Sequence, residues 1–191
     1  MAAATWALVL ASCTPSSDPL QHQLIDCYRF PNREPVTCEL MSDGRITVSG
    51  PSLADMPFGP DGLSSIIVEN RGLYHFSSQG KTAPALNFDN GADYVVEGLT
   101  RTLQNGKVGF VNTQLDQVVA PVWDFAFPFE HGVAVVCMGC VSNPVSPGDE
   151  HRTMTGGKWG YIDKRGKVVV PVVYDSHSLP AAEIAAKQVN R

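Results

Sequence analysis

The Cys137-x-x-Cys140 pair is the local sequence feature best suited to carry chemistry. Two thiols at this spacing can form a disulfide, bind a metal ion or act as a redox pair. A metal site needs about four ligands, and His131 and His151 could complete the set, although the chain has no second C-x-x-C. A thioredoxin-like redox pair has to lie at the start of a helix. The segment that follows Cys140 contains Pro144, which opposes a helix there. The sequence favours a structural disulfide, with metal binding or redox chemistry as the alternative.

A run of aromatic residues precedes this pair. Trp123, Phe125, Phe127 and Phe129 alternate strictly, so all four could face one side of a strand. Pro128 predicts that the strand breaks before Phe129. Core packing between stacked units is the simpler interpretation. The alternative is a platform whose rings stack on a sugar or a peptide.

The sequence offers no catalytic signature. Asp89, Asp124 and Asp175 each follow an aromatic residue, which is typical of turn or backbone-capping positions. No G-x-S-x-G, H-E-x-x-H, phosphate-binding loop or dinucleotide glycine fingerprint occurs. We therefore predict no catalytic residues, no metal and no cofactor, and an envelope hydrolase is the weakest alternative.

These residues belong to three similar stretches of the chain. The spacing between equivalent residues is 35 from the first copy to the second and 51 from the second to the third, which places an insertion near residues 141–157. Pro, Gly, Ser and charged residues there indicate a loop. The aligned positions are Leu73, Val108 and Trp159; His75, Phe110 and Tyr161; and Phe88-Asp89, Trp123-Asp124 and Tyr174-Asp175.

The third copy shows the logic of one unit. Trp159 and Tyr161 alternate with Gly160, which allows another backbone to approach closely. A turn at 164–167 leads to a return strand whose pairing Pro171 limits. Such a unit cannot bury its apolar face alone, so the units must stack.

These residues resemble the WG-repeat family of tryptophan-glycine β-repeats, which is found widely in bacterial proteins. The second copy matches at Gly109, Phe110 and Trp123, and has Leu115 where the turn glycine belongs. The first copy has Tyr74 in place of the second-position glycine. The resemblance implies stacked β-hairpin units, no common catalytic residues, and an interaction or envelope module.

We therefore predict an all-β fold of stacked antiparallel β-hairpin repeats with a short C-terminal helix. The repeat region spans 73–177 and follows an N-terminal β region at 25–72. Residues 178–191 form a helix or tail, because Ser178 is a good N-cap and Pro180 suits a first helical turn. The helix would cover the open edge of the last unit.

The N-terminus resembles a bacterial lipoprotein signal. An apolar run from Ala2 to Ala11, too short to span a bilayer, leads into Leu10-Ala11-Ser12-Cys13, which is similar to a lipobox, so we predict a signal peptide over 1–13. No Lys or Arg precedes Arg29, a departure from the usual signal, so an ordinary apolar N-terminus is the alternative. We expect lipidation at Cys13, a polar tether at 14–24, and anchoring in the bacterial cell envelope, at the outer membrane facing the periplasm or surface.

Cysteine usage agrees with export. Of five cysteines, Cys13 is assigned to lipid, and the remaining four can pair without a leftover thiol. In an oxidising compartment, disulfides are the default for Cys27 with Cys38 and for Cys137 with Cys140.

The net charge of the chain bears on which classes of partner it could bind. The net charge is -5, with 14 Lys and Arg against 19 Asp and Glu, and no basic stripe occurs, which argues against nucleic acid. We predict a non-catalytic envelope module that binds an unknown protein or envelope component, with the inserted loop from Cys137 to Gly157 as the main contact element.

Overall fold

The computed structural model describes residues 22–88, 90–148 and 151–189. Cys13, Asp89 and the predicted signal at 1–13 lie outside the described residues. Antiparallel strands dominate the described part, which confirms the all-β prediction. None of its helices has the length and apolar character needed to cross a membrane.

The described residues form fifteen strands, two α-helices and one 3₁₀ turn. Their bounds are β1 Gln23–Arg29, β2 Pro35–Leu40, β3 Ile46–Val48, α1 Pro51–Ala54, β4 Leu63–Val68, β5 Gly72–Ser77, β6 Thr82–Pro84, β7 Asn87–Phe88, β8 Gly91–Ala92, β9 Leu99–Gln104, β10 Lys107–Asn112, β11 Gln117–Trp123, β12 Phe125–Ala126, β13 Val133–Pro144, β14 Arg152–Asp163, β15 Val168–Tyr174, the 3₁₀ turn Ser176–Ser178, and α2 Ala182–Val189.

The N-terminal sheet has the strand order β3-β2-β1-β4-β5-β6. It curls until its two edge strands meet, where Thr47 pairs with Lys81 and the Val48 amide donates to the Gly80 carbonyl at 3.0 Å. A disulfide joins Cys27 of β1 to Cys38 of β2 inside the curl, as predicted. The predicted boundary after residue 72 falls within this sheet, because β5 and β6 of the first copy belong to it.

The second and third copies build two further sheets. Their strand orders are β11-β10-β9 and β12-β13-β14-β15, and β7 pairs separately with β8. In all three copies a central strand (β5, β10 or β14) lies between an incoming strand (β4, β9 or β13) and a return strand (β6, β11 or β15). We call these three-stranded groups units 1, 2 and 3.

The turn between the central and return strands is the same in all three units. Its middle residue is Gly80, Leu115 or Gly166, with φ of 78°, 60° and 80°. In each unit the amide of that residue donates to the carbonyl three positions earlier, at 2.9, 2.9 and 2.8 Å. Unit 1 therefore shares the turn geometry of the other two units.

The predicted role of the glycine in the central strand is confirmed. In unit 3, Tyr161 pairs with Val170 but Trp159 pairs with Tyr174, so the return strand bulges toward Gly160. A Cβ at Gly160 would lie 2.5 Å from the Val170 carbonyl oxygen, which only glycine avoids.

Unit 2 repeats this bulge, and unit 1 does not. A Cβ at Gly109 would lie 2.5 Å from the Val119 carbonyl oxygen, and the pairing shifts in the same way. In unit 1, Tyr74 occupies the glycine position and pairs with Pro84 in regular register. The tyrosine side chain accounts for the difference, because it leaves no room for the return strand to fold over the central one.

The units stack through buried side chains. Units 1 and 2 share a cluster that includes Ala83 and Leu115, and units 2 and 3 share one that includes Phe110 and Ile162. A Cβ at Gly166 of unit 3 would lie 3.1 Å from the Val119 side chain of unit 2, so the turn of one unit sits on the return strand of the unit before it.

The predicted insertion loop is instead an extension of the β13–β14 hairpin. Strand pairing continues from Cys140 opposite Gly156 out to Pro144 opposite Arg152. All described residues from 141 to 148 are exposed, so neither face of this segment needs the apolar alternation by which strands are recognised. We call residues 138–144 and 152–158 the ribbon.

The C-terminal helix is present, but it begins later than predicted. Ser178 closes the 3₁₀ turn and is not an N-cap, since α2 starts at Ala182, beyond Pro180. The helix buries Ala185 against Val133, Tyr161 and Val170 of unit 3, and the Tyr161 hydroxyl donates to the Pro180 carbonyl at 2.8 Å. It therefore covers the open side of the last unit.

Candidate functional site

The aromatic run divides between core and surface. Trp123 and Phe129 are buried in the cluster between units 2 and 3, as core packing predicts. Phe125 is half-buried, and Phe127 is 48% exposed. The stripe is interrupted because β11 ends at Trp123 and β12 covers only Phe125–Ala126. Two of the four rings are thus available at the surface.

These two rings line a groove of about 680 Å³. Phe125 and Phe127 pack edge to face, with ring centres 5.0 Å apart. Phe88, 46% exposed, and residues of the ribbon also line the groove. The lining residues are Leu86, Asn87, Phe88, Arg101, Leu103, Val108, Asp124, Phe125, Phe127, Pro128, Ser142, Arg152, Thr153 and Met154.

Phe127 also lines two hollows next to the groove. One of about 560 Å³ extends toward Tyr161 and Ala182, and one of about 300 Å³ extends toward Trp159 and Leu179. The Phe127 ring therefore stands as an exposed apolar ridge between three concave surfaces. Rings in such settings bind apolar ligand groups.

A buried ion pair supports the floor of the groove. The Arg101 and Asp93 side chains are 2% and 1% exposed, and Arg101 donates to both Asp93 oxygens at 2.7 Å. Its third nitrogen donates to the Ala126 carbonyl at 2.9 Å. The guanidinium lies 5.4 Å from the centre of the Phe88 ring and 5.9 Å from that of Phe125. Arg101 thereby fixes two walls of the groove.

Sequence reasoning missed this pair. The available signal was an arginine in the middle of β9, at a position flanked by Thr100 and Thr102 in a strand buried on both faces. A charged side chain in such a strand requires a buried partner. Nothing in the sequence identified Asp93 as that partner, because it lies in the irregular segment before β9.

The Asp124 carboxylate, which lines the groove, is held by two hydrogen bonds from within the protein. Asp124 accepts from the Lys107 ammonium at 2.5 Å and from the Gly139 amide at 2.7 Å. The Lys107 hydrogen bond, and then that of Gly139, holds the pKa of Asp124 below its usual value. Unit 3 repeats the ion pair, since Lys158 lies 2.9 Å from Asp175. The backbone-capping role predicted for the recurring aspartate is therefore observed at Asp124.

Arg152, which lines the groove from the ribbon, differs from Arg101 in its hydrogen-bond partners. Arg152 donates to the hydroxyl and to the carbonyl of Ser142 across the ribbon, both at 2.8 Å. Among the described residues it forms no salt bridge with a carboxylate. Arg152 thus leaves a positive charge at the ribbon side of the groove.

Cys137 and Cys140 form the predicted disulfide at the base of the ribbon. Both residues are buried, at 0% and 6% exposure, in a cluster with Trp159. A Cβ at Gly157 would lie 2.4 Å from the Cys140 amide nitrogen, so the two strands cross closely here. The bond and the glycine together fix the direction in which the ribbon leaves unit 3.

The positions of the candidate ligands do not favour a metal site at Cys137 and Cys140. Across residues 22–88, 90–148 and 151–189, no group of three or more His, Cys, Asp and Glu is placed to hold an ion. His131 lies 3.7 Å from Glu130 at the start of β13, whereas His151 lies at the far end of the ribbon. The disulfide also occupies both sulfurs that would act as ligands.

Comparison with known proteins finds that two stretches of the chain are similar to one repeat family. Residues 109–139 and 159–176 match the family model described as WG containing repeat. The matched parts contain Gly109, Phe110 and Trp123 of unit 2 and Trp159 and Gly160 of unit 3, which confirms the resemblance for these units. Unit 1 lies outside the match. No curated protein and no solved structure matches the chain.

Proposed function

Because the chain carries WG repeats, we propose that it is a non-catalytic binding module of the bacterial cell envelope that holds a partner in the groove beside the ribbon. The observation that carries the proposal is the division of the aromatic run, in which Phe127 is 48% exposed while Trp123 and Phe129 are buried. The repeat fold needs the buried rings for its core. The exposed ring has no such use, and a concave apolar surface of this kind is typical of binding sites.

Binding suits the charges of the groove better than catalysis does. A general acid at neutral pH needs a raised pKa, whereas Lys107 and Gly139 lower that of Asp124. Asp93 is held by Arg101 on both of its oxygens. The carboxylates near the groove are therefore committed to fixed partners within the protein.

An envelope location suits the two disulfides. Cys27–Cys38 and Cys137–Cys140 are both buried, and structural disulfides of this kind persist in oxidising compartments. Anchoring through lipid at Cys13 is part of the proposal. Labelling cells with a lipid precursor tests it: label should enter the wild-type chain and be lost in Cys13→Ser, and an unlabelled wild-type chain would refute the anchor.

Site-specific photo-crosslinking in intact cells tests the binding site. A photo-reactive amino acid replaces Phe127 in one variant and Val173, which is 61% exposed on β15, in the matched control. We expect a discrete adduct from position 127 and none from position 173. Equal adducts at both positions, or none at position 127, would contradict the proposed groove.

A further inference from the structure

The backbone beside the groove indicates what kind of partner it holds. Resting on the proposed function, we infer that the occupant is an extended peptide segment of a partner protein. The segment adds as a strand to the free edge of β13, places an apolar side chain against Phe127 and sets an acidic side chain beside Arg152.

The free edge of β13 is the first argument. β13 has twelve residues, but on one side only its first half is covered. There Phe125 of β12 lies opposite Cys137, and the amides of Asp124 and Phe127 donate to the carbonyls of Cys137 and Val135. In the described part of the chain, no strand covers residues 140–144 on that side. This is the side of Phe125 and Asp124, which line the groove. Unpaired edge amides and carbonyls next to an apolar groove are what strand addition uses.

The side-chain pattern of the groove is the second argument. Ser142 lies opposite Met154 and Pro144 lies opposite Arg152, so Met154 and Arg152 follow each other on one face of the ribbon. Ser142, Met154 and Arg152 line the groove, and Thr153 between the last two contributes to its lining as well. An added strand also presents alternate residues to one face. Met154 and Phe127 line the same concave surfaces, so an apolar residue that contacts them and an acidic residue beside Arg152 should be separated by one intervening position.

Charge is the third argument. Within the groove, Arg101 is neutralised by Asp93 and Asp124 by Lys107, which leaves the charge of Arg152 without a carboxylate among the described residues. A carboxylate on the occupant complements it. Saccharides are favoured less, because both Asp124 oxygens already accept hydrogen bonds from Lys107 and Gly139, which reduces the acceptor capacity that this carboxylate offers to sugar hydroxyls.

Selection from a phage-displayed random decapeptide library on the oxidised full-length chain tests this inference. We expect enriched peptides with an apolar residue, any residue and then an acidic residue. A synthetic peptide of the selected sequence should bind about tenfold more weakly to Phe127→Ala. Backbone N-methylation at alternate residues should weaken it by a similar factor, because the edge hydrogen bonds are lost. The Val173→Ala chain is the matched control and should bind normally.

Arg152→Gln separates the charge argument from the rest. The wild-type chain should prefer the acidic peptide to its amide analogue by about fivefold, and R152Q should lose that preference. Absence of an enriched motif, or binding unchanged in Phe127→Ala, would overturn the inference. So would a saccharide whose binding is lost in Phe127→Ala. A crosslinked adduct of non-protein nature at position 127 would keep the proposed function while refuting the peptide.

Discussion

Adding one methyl group at Gly160 should destabilise unit 3 strongly. The new Cβ would lie 2.5 Å from the Val170 carbonyl oxygen and 2.7 and 2.8 Å from the carbonyl oxygen and carbon of Pro171. Ordinary contact begins at about 3.4 Å, so the return strand has to move by about 0.9 Å. Overpacking typically costs about 1–3 kcal/mol. The contacted atoms are backbone and cannot rotate away, so we expect the upper end, about 3 kcal/mol.

Thermal unfolding of Gly160→Ala, followed by tryptophan fluorescence, measures this cost. At about 2–4 °C per kcal/mol for a chain of this size, the midpoint should fall by about 6–12 °C. Gly91→Ala is the matched control, because its Cβ would meet only the Phe30 ring at 3.5 Å. Its midpoint should stay within about 2 °C of wild type. Equal midpoints for the two variants would refute the role assigned to the glycine bulge.

Three further sets of substitutions probe the stacked units by urea unfolding. Arg101→Met should cost about 3–5 kcal/mol because it leaves Asp93 buried without its partner, and adding Asp93→Asn should recover part of the loss. Leu115→Ala should lower the free energy of unfolding by about 2–5 kcal/mol, because a buried side chain is lost. Leu115→Gly should be about 1 kcal/mol more stable than Leu115→Ala, because the backbone φ at this position is 60°, which glycine adopts without strain. The reverse order of stability would contradict this account. Burial lowers the pKa of His75, although the nearby Asp93 opposes this shift. As pH falls, His75 therefore takes up a proton in the unfolded chain before it does so in the folded chain. Stability should consequently fall as pH drops below about 6.5, the ordinary pKa of histidine. His75→Gln should reduce that loss between about pH 7 and pH 5, and an unchanged pH slope would exclude His75 as its source.

The repeat alignment predicted the architecture of units 2 and 3 well, because equivalent residues of these two units proved to be equivalent in pairing. Phe110 pairs with Val119 and Tyr161 pairs with Val170, and the register shifts on both sides of each pair. Leu115 was the apparent flaw in the second copy. Its side chain is buried between units 1 and 2, so packing offsets the cost of a left-handed backbone. A sequence pattern records the backbone requirement but not this compensation.

The ribbon and the groove could not be predicted to the same depth. An exposed hairpin lacks the apolar periodicity that identifies strands, so residues 141–148 resembled a loop. The alternating run gave the correct aromatic residues, but it could not tell that Phe127 faces solvent while Phe129 is buried. That difference depends on where β11 and β12 end relative to unit 3, which is a property of the assembled stack.

The two ends of the stack have a consequence for its length. At one end the N-terminal sheet joins its own edges through Thr47 and Lys81, and at the other α2 lies over Tyr161 and Val170. A fourth hairpin could not dock on the last unit while α2 holds that position. Growth by tandem duplication would therefore have to insert new units between the existing ones or displace the helix.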